Sequence, residues 1–162
     1  MFSIRRAGPA DVAVIARHRA MMFKDMRILA AEAYPRLLQD TERALAEIMS
    51  KGEYFGWLAV AEAGAKVIGG AGVQLRRTLP FPGGRPVGSA VSNGRQALVI
   101  NVFTEPEWRR RGVARCLMEA VLSWAREVGI ESVVLHASAE GRGLYDQLGF
   151  VATNEMRYQG DS

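Results

Sequence analysis

"EPEWRRRGVARCLMEAV", residues Glu105 to Val121, decides how this chain is read. Three arginines run into a glycine, and an amphipathic helix starts at once. Val113, Leu117, Ala120, Val121, Trp124 and Val128 recur at helical spacing and predict a helix over about 112–128, closed by Gly129. Just upstream, "ALVINVF" (97–103) is a strongly β-forming run, apolar on both faces apart from Asn101, as a central strand requires. The order is therefore strand, arginine-rich turn, glycine, helix. The first four backbone N–H groups of a helix lack internal acceptors, and the helix dipole adds positive charge at the same end. Such a start attracts anions. Gly112 leaves the backbone approachable, and Ala114 is small for the same reason. Arg109, Arg110, Arg111 and Arg115 add charge that grips phosphate in a bidentate manner. The arrangement suits a pyrophosphate or a similar group.

Working outward, "FSIRRA" (2–7) reads as a first strand, with a turn at Gly8 and Pro9 and Asp11 near a helix start. Val12, Ile15, Ala16, Met22, Phe23 and Met26 place a helix over about 12–26, and Leu37, Leu38, Leu45, Ile48 and Met49 a second over 36–50. "YFGWLAVAEAGAKVIGGAGVQLRR" reads as a hairpin turning at Gly64. Its return strand, about 66–75, carries Gly69, Gly70 and Gly72, which imply a bulge or the close approach of another backbone. Residues 78–95 form a long Pro- and Gly-rich loop with a strand extension near 88–92. "SVVLHA" (132–137) is another central strand, "EGRGLYDQL" a short helix stopped by Gly149, and "FVATNEMRY" (150–158) a last strand. Interleaved strands and helices without repeats imply one α/β domain over 1–162.

Composition narrows the function classes. The chain has 162 residues, 49% hydrophobic and 23% charged, with a formal net charge of +4. That is mildly basic and favours anionic ligands without requiring nucleic acid. Lone Cys116 excludes an internal disulfide framework and fits a reducing, cytoplasmic setting. No apolar run approaches the ~20 residues of a membrane span, and no signal-peptide pattern opens the chain. Two histidines and one cysteine offer no metal-ligand spacing, so no metal is expected.

Common phosphate motifs do not account for the turn: GxxxxGK[ST] does not occur, and "GRGLYD" fails GxGxxG. What remains is Arg109-x-x-Gly112-x-Ala114 after a strand ending "NVFTEP". This string, the surrounding "VINVFTEPEWRRRGVARCLM", and "SAEGRGLYDQLGF" downstream together resemble the GCN5-related N-acetyltransferases (GNAT), whose hallmark is Q/R-x-x-G-x-G/A. The resemblance is close over about 97–151 and looser over 1–75. It implies a mixed, mostly antiparallel central sheet flanked by helices, with the fourth and fifth strands parallel and splayed at one end. It implies acetyl-CoA as cosubstrate, an amine acceptor and direct acetyl transfer. Val102 would offer its backbone N–H to the thioester carbonyl. Phe103 and Thr104 would pair with the pantetheine arm. Arg109, Arg110, Arg111, Gly112, Val113, Ala114 and Arg115 would wrap the pyrophosphate. Tyr145 would be the general acid beside the coenzyme sulfur. Ser138 stands where the family usually has Asn, so its contact with the coenzyme arm is a departure.

The chemistry is coherent. A backbone donor at a developing oxyanion is worth about 3 kcal/mol. A thiol of pKa about 8.5 leaves readily, and a tyrosine of pKa about 10 is still protonated at neutral pH to serve it. The attacking amine must lose a proton, and Glu105, His136, Glu53 and the surroundings of Asn101 are undiscriminated candidates for receiving it. No activated nucleophile is visible, so no covalent acyl-enzyme is expected. His136 reads first as a structural histidine, His18 as surface or acceptor-site lining, Cys116 as packing, and Met21, Met22 and Met26 as core or pocket wall. A non-catalytic acyl-CoA sensor is the main rival. A nucleic-acid binder is disfavoured by sparse aromatic interleaving. A homodimer is possible.

Overall fold

The structure, a computed structural model, describes residues 1–84, 86 and 88–160. Arg85 and Val87 of the 78–95 loop, and the last two residues, lie outside the described residues. Five strands form the main sheet: β1 (Phe2–Arg6), β2 (Tyr54–Ala61), β3 (Val67–Arg77), β6 (Arg95–Thr104) and β7 (Ser132–Leu135), in that spatial order. β1, β2, β3 and β6 pair antiparallel in that order, and β6 pairs β7 in parallel. Two residue pairs in the long loop, β4 (Pro82–Gly83) and β5 (Ala90–Val91), make a small separate ladder.

Both faces of the sheet are covered, which is why its central strands read as apolar on both sides. On one face lie α1 (Val12–Asp25) and α2 (Tyr34–Ser50), where Ile15, Ala16 and Leu45 pack on Tyr54 and Leu58. On the other lies α3 (Val113–Glu127), whose buried stripe Val113, Leu117, Met118, Val121 and Ala125 meets Trp57, Ala59, Ile68, Val73, Ala97 and Val99. α3 carries the chain from β6 over to β7, and α4 (Arg142–Gln147) follows β7. The tryptophans gather on the α3 side. Trp57 and Trp124 rings stand 5.4 Å apart with the Arg6 guanidinium 4.3 Å from the Trp57 centroid. Trp108 packs at the edge of that same core.

The β2–β3 turn falls where expected, as a 3-10 turn over Ala63–Ala65 with Ala65 left-handed (φ 52°). Two expectations are corrected. The strand expected at 132–137 stops at Leu135 and is an edge strand rather than a central one, paired among the described residues with β6 alone. The last strand is absent: beyond Phe150, which packs in the core, residues 151–160 form no ladder. β-forming residues make a strand only where a face and a partner are available to pack against. Val151, Met156 and Tyr158 are all exposed, and the segment's described polar tie is Glu155 to His136.

Candidate active site

The site begins with an irregularity in β6. Gly70 pairs with Phe103 and Gly72 with Ile100, so a single residue of β3, Ala71, faces Asn101 and Val102 together. That is a β-bulge. Asn101 absorbs the extra length with left-handed backbone (φ 58°), a conformation asparagine tolerates better than most side chains. The glycines of β3 serve this region as their clustering implied. A Cβ at Gly72 would overlap the Tyr54 hydroxyl, which lies across the sheet there.

Below the bulge, β6 and β7 are paired from Gln96/Ser132 to Val99/Leu135. The pairing ends there because β7 ends at Leu135, and β6 runs on to Thr104 with that edge unpaired among the described residues. Glu105 donates its N–H to Ile68 O on β3 (2.9 Å), so alternation turns the Thr104 N–H toward the open edge. The Thr104 hydroxyl is buried there with no hydrogen-bond partner among the described residues.

The arginine turn stands at the end of this open edge. A 3-10 turn, Pro106–Trp108, leads into it. Arg110 (φ 62°) and Gly112 (φ 81°) are both left-handed, and such alternation gathers successive N–H groups into a concave nest. The first intrahelical bond of α3 is Cys116 N–H to Gly112 O, 3.0 Å. Among the described residues, no backbone N–H from Arg110 to Arg115 has a protein acceptor, and no side chain caps α3. A Cβ at Gly112 would meet open space, so its glycine is required by φ alone.

The side chains of the turn differ in use. Arg109 donates to Thr104 O (3.1 Å) and pairs with Asp25 at the end of α1, so it braces the turn. Arg111 lies over Trp108, 5.4 Å from the ring centroid, and Arg115 reaches Gln147 on α4. Val113 has its side chain in the core, which leaves only its backbone for a ligand. Ser138 accepts the Gly141 N–H on its hydroxyl (3.2 Å) and starts α4. Tyr145 on α4 is buried edge-on against Phe150, its hydroxyl bonded to no described residue. Burial pushes the Tyr145 phenol above its ordinary value.

The α1 face of the bulge holds residues the sequence did not single out together. Glu105, 7% exposed, pairs with Arg17 and lies 3.8 Å from His18 Nε2. His18 is not a surface residue: it is 1% exposed and stacks on Phe103 at 4.9 Å between ring centroids. Burial first, and then the Arg17 charge, push its pKa down to about 4, against a smaller opposing pull from Glu105. Arg19 donates to Asn101 Oδ1 (2.7 Å), and Asn101 Nδ2 donates to the Tyr54 hydroxyl (3.5 Å). A small cavity between these groups is lined by Ile15, His18, Tyr54, Gly70 and Asn101. The spacing of Ile15 to His18 and Arg19, three and four residues, was the available signal that these polar groups share the buried face. Of the other base candidates, Glu53 is exposed, and His136 is exposed and bonded to Glu155 (2.5 Å). Met26 is exposed, while Met21 and Met22 are half-buried.

A strand bulge, an unpaired edge of β6 beyond the end of β7, and a donor-lined helix start coincide. Residues 21–150 match the sequence profile of the Acetyltransferase (GNAT) family. The chain belongs to this GNAT acetyltransferase family. Human N-acetyltransferase 8 is 28% identical over 99 residues, 59% of this chain and 39% of that protein. The chain thus spans about two-fifths of the length of the curated relatives it matches. The crystal structure of a GCN5-related N-acetyltransferase from Ralstonia eutropha JMP134 superposes with a TM-score of 0.84 at 26% identity, covering 98% of this chain and 97% of that one. The structure of a predicted acetyltransferase with acetyl-CoA from Clostridium acetobutylicum shares the fold, with a TM-score of 0.81 at 23% identity over 99% and 96% of the two chains. Among the described residues of this GNAT protein, no helix is long and apolar enough to cross a membrane, and no three His, Cys, Asp or Glu side chains cluster as metal ligands.

Proposed function

We propose that this GNAT protein transfers an acetyl group from acetyl-CoA to a primary amine by direct attack. The observation that carries the reading is the run of unpartnered backbone donors from Arg110 to Arg115 beside the strand edge that opens above Val99. An anionic diphosphate fits such donors, and the Thr104 N–H turned to the open edge fits a polar arm laid along it. Acetyl-CoA, when bound, supplies the acyl carbon and a thiol leaving group.

The chain's own groups then have separable tasks. Backbone N–H groups of Arg110 to Arg115 hold the diphosphate, helped by the exposed Arg110 and Arg111 side chains. The Val102 N–H, two residues before Thr104 on the open edge, stabilises negative charge developing on a carbonyl oxygen. Tyr145, kept neutral by burial, holds its hydroxyl proton for a departing thiolate. Arg109 braces, and Ser138 sets the start of α4 that carries Tyr145. No described group stands ready as a strong base. His18, with a pKa of about 4, is too weak to take a proton from an alkylammonium near 10. Glu105 is engaged by Arg17. The amine therefore enters deprotonated from solvent, and the proton its nitrogen sheds after attack passes through water to restore the Tyr145 phenol that protonated the thiolate. The reaction belongs in the cytoplasm, where the half-buried Cys116 thiol stays reduced.

Calorimetric titration with acetyl-CoA, followed by coenzyme-release assays over a panel of amines, tests this. Binding with turnover supports the reading. Binding without turnover of any amine points to a sensor. No affinity for acetyl-CoA at low salt rejects the reading outright.

A further inference from the structure

On α1, charge is balanced at one arginine and left open at the next. Arg17 is paired with Glu105. Arg19 directs Nη1 to Asn101 Oδ1 at 2.7 Å and lies over Phe23, 4.8 Å from the ring centroid. Both partners are neutral. Among the described residues no carboxylate stands within ion-pair distance of Arg19. Its surroundings resist the charge it carries: burial lowers its pKa, and the nearby titratable group is Tyr54, itself held neutral by burial. A half-buried guanidinium without a counter-charge is costly unless something supplies one.

Its position says where the counter-charge comes from. A guanidinium offers five N–H donors in a rigid fork, and Asn101 takes one. Asn101 is buried in the bulge, with its amide nitrogen turned to Tyr54 so that its oxygen faces Arg19. The next residue is Val102. Three elements, α1, β2 and β6, thus converge to hold a cation beside the reacting position.

We propose that Arg19 is an anion subsite for the acceptor: the amine substrate also bears a carboxylate or phosphate, which pairs with the Arg19 guanidinium while the nitrogen lies at Val102. This rests on the acetyl-transfer reading above. Because Asn101 joins the two points directly, the amine and the anion sit close together in one small molecule, as in an amino acid or an aminoalkyl phosphate.

The test is kcat/KM by coenzyme release for matched acceptors. Each standard amino acid is compared with its carboxamide, and aminoethyl phosphate with ethanolamine. At least one anionic acceptor should exceed its neutral counterpart by about tenfold or more, and the arm in which this happens names the anion. Arg19→Gln should remove about 100-fold of activity toward that acceptor, the loss of a charged hydrogen-bonded pair, and leave its neutral counterpart and acetyl-CoA affinity unchanged. Arg19→Lys, which keeps the charge without the fork, should recover part of the loss. Equal use of charged and neutral acceptors by the wild type overturns the proposal, and does so even if Arg19→Gln fails to fold. A uniform loss across both classes in the variant also overturns it. So does coenzyme binding with turnover confined to neutral amines. Failure to bind acetyl-CoA, or to release coenzyme with any acceptor, would instead count against acetyl transfer itself.

Discussion

The imidazole of His18 is kept neutral by its place in the fold. An unfolded histidine titrates near 6.5, and this one at about 4. Between those values the unfolded chain holds a proton that the folded chain refuses. Stability is therefore fully present above pH 6.5 and falls as the pH drops toward 4, by up to about 3 kcal/mol. Urea midpoints measured across this window should decline, and His18→Phe, which keeps the stack on Phe103, should remove most of the decline. An identical slope in the variant would assign the titration elsewhere. Tyr145 gives a second prediction at this scale. Tyr145→Phe should lower kcat by about 100-fold while acetyl-CoA affinity measured by calorimetry is kept. Since burial moves the phenol upward from about 10, its loss of a proton lies above the working range. The pH profile of kcat/KM should thus rise with the free-amine fraction of the acceptor and show no fall below pH 10.

Elements make the site by their ends and faults. The nest before α3 depends on Gly112, whose φ of 81° costs any other residue about 1 kcal/mol. There is room for a methyl group, so Gly112→Ala should fold, lose a few degrees of thermal stability, and bind acetyl-CoA about tenfold more weakly as the loop relaxes. Calorimetry and thermal melts read the two effects separately. Elements were also what the sequence displayed best. The helical stripe of α3 and the doubly apolar β6 each follow from burial on a known period, and the observed bounds differ from the expected ones by a residue or two at most. The glycine cluster in β3 announced a bulge, but the left-handed backbone went to Asn101 on the facing strand. Residues 150–158 were expected as a strand from residues such as Phe150, Val151, Thr153 and Tyr158, whereas a ladder needs a neighbour that sequence does not specify.

At the scale of the molecule, the helices divide the work. The α3 side carries the donor nest, and the α1 side carries the arginine and histidine cluster. The first was legible because Arg109, Gly112 and Ala114 are neighbours in the chain. The second was not: Arg17 and Glu105 are 88 positions apart, and Arg19 and Asn101 are 82. Only the packing of α1 across the sheet brings them together, and no short motif records that.

The three tryptophans do not sample these halves equally. Trp57 and Trp124 lie in the α3-side core, and Trp108 sits beneath Arg111 at the mouth of the turn. Intrinsic emission is therefore a one-sided optical label. Titrating acetyl-CoA should shift or quench it through Trp108, whereas an acceptor binding at Arg19 should leave the spectrum still. If both ligands dimmed it alike, the sheet would be relaying motion from one face to the other.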